Sequence, residues 1–138
     1  MAGYLCHLIM PTNENTPVQP TYHTLIIDDE VDICFLLRSI LAAKNTTVDC
    51  AHSIKAAREM MANHQPDIVF LDNFLPDGIG MEFISYTRAS CPDAKIIMIS
   101  AHDSLLNQQR ALMNGAQKFL PKPFMVEDLD ETIRNIYA

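Results

Sequence analysis

The chain reads as a doubly wound α/β domain of five parallel strands alternating with five helices. Three observations predict it. Short runs such as Leu25-Ile26-Ile27 and Ile68-Val69-Phe70-Leu71 are apolar at every position, as strands buried on both faces must be. Helical stretches separate such runs, so that β and α signals alternate five times from Thr24 onward. Acidic residues close two of the runs, Asp28-Asp29 the first and Asp72 the other. In an open parallel sheet the ligand crevice lies outside the carboxyl ends of the strands, which brings these three acids to one rim.

The first strand is expected near 24–28 and its helix near 30–44. In that helix Ile33, Cys34, Leu37, Ile40 and Leu41 form an apolar stripe at helical spacing that reads as core. Phe35 falls outside the stripe, in line with Arg38, Ser39 and Ala42 on the outer face. A second strand near 47–51 leads to a helix near 53–64, with Ser53 as N-cap and Met60-Met61 as core filler. Pro66 stops that helix before the third strand, near 67–72. A helix near 80–89, with Met81 on its inner pattern, runs into Pro92 and the fourth strand near 95–100. Asp103 or Ser104 caps a helix near 104–114, which Asn114-Gly115 ends through a left-handed turn. A fifth strand near 117–121 and a helix near 126–137 complete the series. Right-handed crossovers and the flavodoxin-like order 2-1-3-4-5 set strands one and three side by side, with Asp28, Asp29 and Asp72 at the switch point.

At 138 residues the chain is most simply one domain, and 49% hydrophobic content supplies a core. Residues 1–22 stand apart: Pro11-Thr12-Asn13-Glu14-Asn15-Thr16-Pro17 is polar and aperiodic, so this stretch is expected to be a flexible arm preceding a domain over 23–138. A net charge of −7 argues against generic binding to nucleic acid or to an anionic membrane. No apolar stretch has the length of a membrane helix, and Tyr4–Met10 lacks the basic flank of a secretion signal. Cys6, Cys34, Cys50 and Cys91 form no C-x-x-C pair, which favours free thiols and a reducing, cytoplasmic setting. His7 reads as a tail residue, and His52 and His64 have no partner at ligand spacing.

Each strand end adds a group to the rim: Asp28-Asp29, Asp72, Ser100 from the fourth strand, and Lys122 just beyond the fifth. Two acids suit a hard cation such as Mg²⁺, which takes oxygen ligands. A third can act as nucleophile toward phosphorus. A hydroxyl and an ammonium would neutralise phosphoryl oxygens and hold them by hydrogen bonds. Together they make a phosphoryl-transfer site that works by positioning and charge.

In these residues the sequence resembles the receiver domain of two-component response regulators. The resemblance covers about residues 23–137. It rests on Asp28-Asp29-Glu30, Asp72-Asn73-Phe74-Leu75-Pro76 with Gly80, Ser100-Ala101, Asn114-Gly115-Ala116 and Phe119-Leu120-Pro121-Lys122-Pro123. It implies that Asp72 accepts a phosphoryl group from the phosphohistidine of a histidine kinase or histidine phosphotransfer protein. Asp28, Asp29, Asp72 and the Phe74 carbonyl would hold Mg²⁺, and Lys122 would pair with the phosphoryl group, followed by a cis Lys122-Pro123 bond. Ser100 and Phe119 would form the switch, Ser100 moving toward the phosphoryl oxygen and Phe119 turning inward. Phe74 and His102 would flank the phosphoryl group and tune its lifetime. The output would be a protein contact on the face formed by the fourth helix, fifth strand and fifth helix, open also to pairing with a second copy. The first helix, with Phe35, would meet the phosphodonor. The chain would then be a self-phosphorylating signalling switch rather than a turnover enzyme.

Two other classes share parts of this pattern. A haloacid-dehalogenase-like phosphatase needs Asp-x-Asp at the nucleophile strand, whereas Asp72 is followed by Asn73 and Phe74. A flavodoxin-like cofactor binder needs a phosphate-cradling loop after the first strand, where Asp29 and Glu30 would repel phosphate. A receiver fold without phosphorylation would not need the full set of acids, hydroxyl and lysine. Asp77-Gly78 reads as a turn after the acceptor.

Overall fold

Successive side chains of a strand point to opposite faces, so a strand covered on both sides must be apolar throughout. The computed structural model describes residues 21–136. Its elements run β1 (Tyr22–Ile27), α1 (Val31–Leu41), β2 (Thr46–Ala51), α2 (Ile54–Asn63), β3 (Ile68–Asp72), β4 (Phe74–Leu75), β5 (Gly78–Ile79), α3 (Gly80–Ser90), β6 (Lys95–Ser100), α4 (Leu105–Met113), β7 (Lys118–Pro121) and α5 (Val126–Ile136). Five strands form one parallel sheet in the order β2-β1-β3-β6-β7. This is the expected 2-1-3-4-5 order, renumbered because the short antiparallel hairpin β4–β5 intervenes. Of the expected N-terminal arm, residues 1–20, with Cys6 and His7, lie outside the described residues, as do Tyr137, to which the last helix was expected to run, and Ala138. Tyr22, which the sequence left in the arm, opens β1 and pairs with Thr46.

The alternation of strand side chains divides the core in two. Leu25, Ile27, Val69, Leu71, Ile96 and Met98 face Ala57 and Met61 of α2, Phe83 and Ile84 of α3 and Ala111 of α4. Ile26, Ile68, Phe70, Ile97 and Ile99 face Cys34, Leu37 and Leu41 of α1 and Leu129 and Ile133 of α5. Helices α1 and α5 therefore cover one face of the sheet, and α2 to α4 the other. Burying each large apolar side chain contributes roughly 1.5–3 kcal/mol, and the central strand β3 has five buried positions in five. The sheet is thus a rigid base for whatever its carboxyl edge carries.

Local chemistry sets the boundaries. Ser53 caps α2 by accepting from the Ala56 N–H at 3.1 Å, and Ser104 rather than Asp103 caps α4, accepting from the Asn107 N–H at 3.2 Å. Gly115 takes φ +118° after α4, a left-handed conformation that favours glycine. Helix α1 stops at Leu41, short of the expected 44. Lys44 and Thr46 form a tight turn there that brings Thr46 into register with Tyr22. Asp77 does more than turn the chain: its two carboxylate oxygens accept from the Ile54 and Lys55 N–H groups at 2.8 and 2.9 Å. It thereby caps α2 from the β4–β5 hairpin, and these bonds hold its carboxyl below the usual range.

Candidate functional site

The carboxyl ends of β1, β3, β6 and β7 converge on a cleft of about 330 Å³ lined by Asp29, Glu30, Asp72, Phe74, Ser100, Ala101, His102 and Lys122. Parallel pairing carries each group there. Ile27 lies beside Leu71 and Asp72 beside Ile99, so β1 and β3 end at the same level. Ser100 pairs with Pro121, one residue before Lys122, whose backbone N–H donates to the Ser100 carbonyl at 2.9 Å. The Lys122–Pro123 peptide is cis.

The acids differ in surroundings. Asp28 is fully buried. Its Oδ1 accepts from the Glu30 N–H at 2.8 Å, while Oδ2 pairs with Lys122 Nζ at 2.9 Å. Asp72 is nearly buried, its Oδ1 accepting from the Asn73 N–H at 2.8 Å and its Oδ2 standing 3.6 Å from Lys122 Nζ. Asp29 is exposed, and one carboxylate oxygen from each of Asp28, Asp29 and Asp72 lies within 4.8 Å of the others. Such crowding has a cost. Burial, then the nearby Asp28 charge, push the Asp72 carboxyl up to about 6 against the pull of Lys122. Burial also pushes Asp28 up, against its contacts with Lys122 and the Glu30 N–H. Burial alone would pull Lys122 down, but its contacts with Asp28 and Glu30 outweigh that and its ammonium is held above the ordinary lysine range.

A divalent cation fits this donor set. Three hard carboxylate ligands meet, and two of them, Asp28 and Asp72, are buried. One lysine cannot neutralise three acids, so a cation at this point would relieve the repulsion that raises Asp72.

The loop after Asp72 is held close to the sheet. Asn73 accepts from the Met81 N–H through its side chain at 2.9 Å and from the Gly80 N–H through its carbonyl at 2.6 Å. A β-carbon on Gly80 would come within 2.0 Å of the Asp72 carbonyl oxygen, so only glycine permits this approach. Phe74, half exposed, meets His102 edge-on with ring centroids 4.5 Å apart across the mouth of the cleft. Ser100 is buried and its Oγ accepts from the His102 N–H at 3.0 Å.

The residues singled out from the sequence do not all reach the cleft. Phe119 does not line it: it is 7% exposed, belongs to the core and pairs in register with Met98. Phe35 stands 71% exposed on α1. His64 lies at the other end of the sheet, stacked on the buried His23 at 4.0 Å, a pairing the sequence did not announce. His52 Nδ1 sits 2.9 Å from the Asp28 carbonyl oxygen, where it braces the acidic loop. Sequence reasoning also missed Glu30 as a partner of Lys122, 2.9 Å away; the adjacency of a third acid to Asp28-Asp29 was the available signal.

This geometry agrees with what the chain matches. The model of the response regulator receiver domain family covers residues 24–134, and the chain belongs to that family. It is 37% identical over 109 residues to the response regulator protein PilR of Pseudomonas aeruginosa, covering 79% of this chain and 24% of PilR. It is 35% identical over 105 residues to the response regulator MprA of Mycobacterium ulcerans, covering 76% of this chain and 45% of that protein. The chain therefore spans less than half the length of these two relatives. Among solved structures, a CheY-like receiver domain from Methanospirillum hungatei superposes with TM-score 0.79 at 27% identity, covering 85% of this chain and 94% of that one. A two-component response regulator from Clostridium difficile superposes with TM-score 0.80 at 26% identity, covering 85% and 96%. Receiver domains of this family are signalling switches. Among the described residues no helix is long and apolar enough to cross a membrane.

Proposed function

We propose that this receiver is switched by phosphorylation of Asp72. The observation that carries the reading is the meeting of Asp28, Asp29, Asp72 and Lys122 at one open cleft, with Asp72 Oδ2 at 3.6 Å from the ammonium. An Asp72 oxygen attacks phosphorus; the bond from phosphorus to the donor's leaving group breaks, and that group departs with the electron pair. With a phosphohistidine donor the leaving group is imidazole. Lys122 would pair with the phosphoryl oxygens and Ser100 Oγ would hydrogen-bond to one of them, so charge and orientation would come from side chains that line the cleft. Asp28, Asp29, Asp72 and the Phe74 carbonyl would hold Mg²⁺, which when bound would supply further positive charge to the site.

Ser100 and Phe119 are the natural readout. To reach the phosphoryl group Ser100 Oγ must release the His102 N–H, which loosens the segment leading into α4. Phe119 is buried, so its turn into the space that Ser100 vacates would be a rearrangement within the core. Helix α4 is thinly seated: Ala111 is its one buried residue, while Leu105, Leu106, Leu112 and Met113 are exposed. That face, with β7 and α5, would bind a downstream protein or a second copy of the chain. The phosphodonor, a histidine kinase or a histidine phosphotransfer protein, would dock on α1 near Phe35. Phe74 and His102 would slow hydrolysis by shielding the phosphoryl group from water. The test is intact-mass analysis after incubation with acetyl phosphate, with and without Mg²⁺. The reading expects one added phosphoryl group on the wild type only with Mg²⁺, and none on Asp72→Asn; equal labelling of the two would refute it.

A further inference from the structure

An ammonium has three N–H donors, and Lys122 faces three carboxylates. Its Nζ lies 2.9 Å from Asp28 Oδ2, 2.9 Å from Glu30 Oε1 and 3.6 Å from Asp72 Oδ2. The residue that would receive the phosphoryl group is thus the most distant of the three. The two closer partners are not equivalent. Asp28 is fully buried on the end of β1 and cannot move away. The Glu30 side chain is 55% exposed at the lip of the cleft. Its backbone is pinned: Asp28 Oδ1 holds the Glu30 N–H, and the Glu30 carbonyl accepts from the Ile33 and Cys34 N–H groups at the start of α1. Only the side chain can swing.

We propose that Glu30 is a positioning residue that tethers Lys122 away from Asp72, and that its release sets how readily the acidic cleft accepts a phosphoryl group. The inference rests on the phosphorylation reading of Asp72. When an Asp72 oxygen forms its bond to phosphorus and acetate leaves acetyl phosphate with the electron pair, Lys122 must turn to the new phosphoryl oxygens. It can do so by surrendering the Glu30 contact while keeping Asp28. A half-exposed ion pair of ordinary worth converts to about a two- to fivefold change in rate.

The experiment compares phosphorylation rates of the full chain, wild type, Glu30→Gln and Glu30→Asp, with Mg²⁺ and two donors: acetyl phosphate, a dianion, and phosphoramidate, which carries less net negative charge. Half-saturating beryllofluoride is measured alongside as a readout independent of chemistry. The tether predicts a gain of about two- to fivefold in Glu30→Gln with both donors, and a beryllofluoride requirement lower by a similar factor. Glu30→Asp keeps the charge and suits the N-cap position of α1, where the Glu30 side chain makes no capping bond, but is one methylene shorter, and it should behave like Glu30→Gln. An unchanged or slower Glu30→Gln, a gain confined to acetyl phosphate, or a wild-type-like Glu30→Asp would overturn the tether. Failure to label the wild type at all would overturn the phosphorylation reading and the tether with it, an outcome distinct from a labelled wild type with indifferent variants.

Discussion

Replacing Asp72 by asparagine should make the metal-free protein more stable, although it removes the residue on which the function depends. The Asp72 carboxyl titrates at about 6 instead of 3.8. At about 1.4 kcal/mol per pH unit, keeping it ionised in the folded state near neutral pH costs about 3 kcal/mol. Asn can retain the bond from the Asn73 N–H to the side-chain oxygen but still buries a polar amide, so the net gain is roughly 1–2 kcal/mol. In a domain of this size that raises the melting temperature by about 3–8 °C. The direction with pH follows. The folded protein binds the Asp72 proton more tightly than the unfolded chain, so this carboxyl lowers stability as pH rises from about 4 through 6. Thermal or urea unfolding in EDTA, from pH 4 to 8, should show variant and wild type close together at the acid end, separating as pH rises from about 4 to 6 and holding that gap above it. Excess Mg²⁺ should then stabilise the wild type more than the variant, because the variant has lost a ligand. An Asp72→Asn protein less stable than wild type at pH 7.5 in EDTA would refute the view that repulsion dominates the empty cluster.

Other substitutions probe separate parts of the account. Phe74→Asn removes the edge contact with His102 across the cleft mouth and should speed loss of the phosphoryl group by about two- to tenfold, the worth of an aromatic pair; an unchanged lifetime in purified protein would show Phe74 to be a bystander. Phe35→Ala, on a side chain 71% exposed, should leave melting and labelling by acetyl phosphate unaltered while slowing transfer from the cognate phosphodonor, and normal transfer would remove Phe35 from the docking surface. Gly80→Ala would force a β-carbon into the Asp72 carbonyl oxygen. It should abolish beryllofluoride binding through displacement of the acceptor loop, and retained binding would mean the loop can shift without harm.

The fold was legible because its central strands are apolar at every residue, and because Ser53, Ser104 and Gly115 punctuate the helices with chemistry that acts within a few positions. The cleft was legible for a related reason: parallel strands end in register, so residues one step beyond Ile27, Leu71, Ile99 and Pro121 had to meet. What escaped was short or distant. The β4–β5 hairpin has two residues per strand, too few for any period to declare itself. The Glu30–Lys122 pair joins residues 92 apart, and the Asp77 cap on α2 spans 23. Neither leaves a trace in local pattern, since each depends on how two loops lie across the sheet edge. Phe119, the expected switch residue, lies buried opposite Met98, a packing outcome that one residue's identity does not encode.

The central claim is that the acyl phosphate forms on Asp72 and nowhere else. Reductive cleavage with borohydride after labelling by acetyl phosphate and Mg²⁺ converts a phosphorylated aspartate to homoserine, which peptide mapping locates. The account predicts homoserine at position 72 alone, dependent on Mg²⁺. Homoserine at position 28 or 29, or a phosphoryl group found instead on His102, would contradict it.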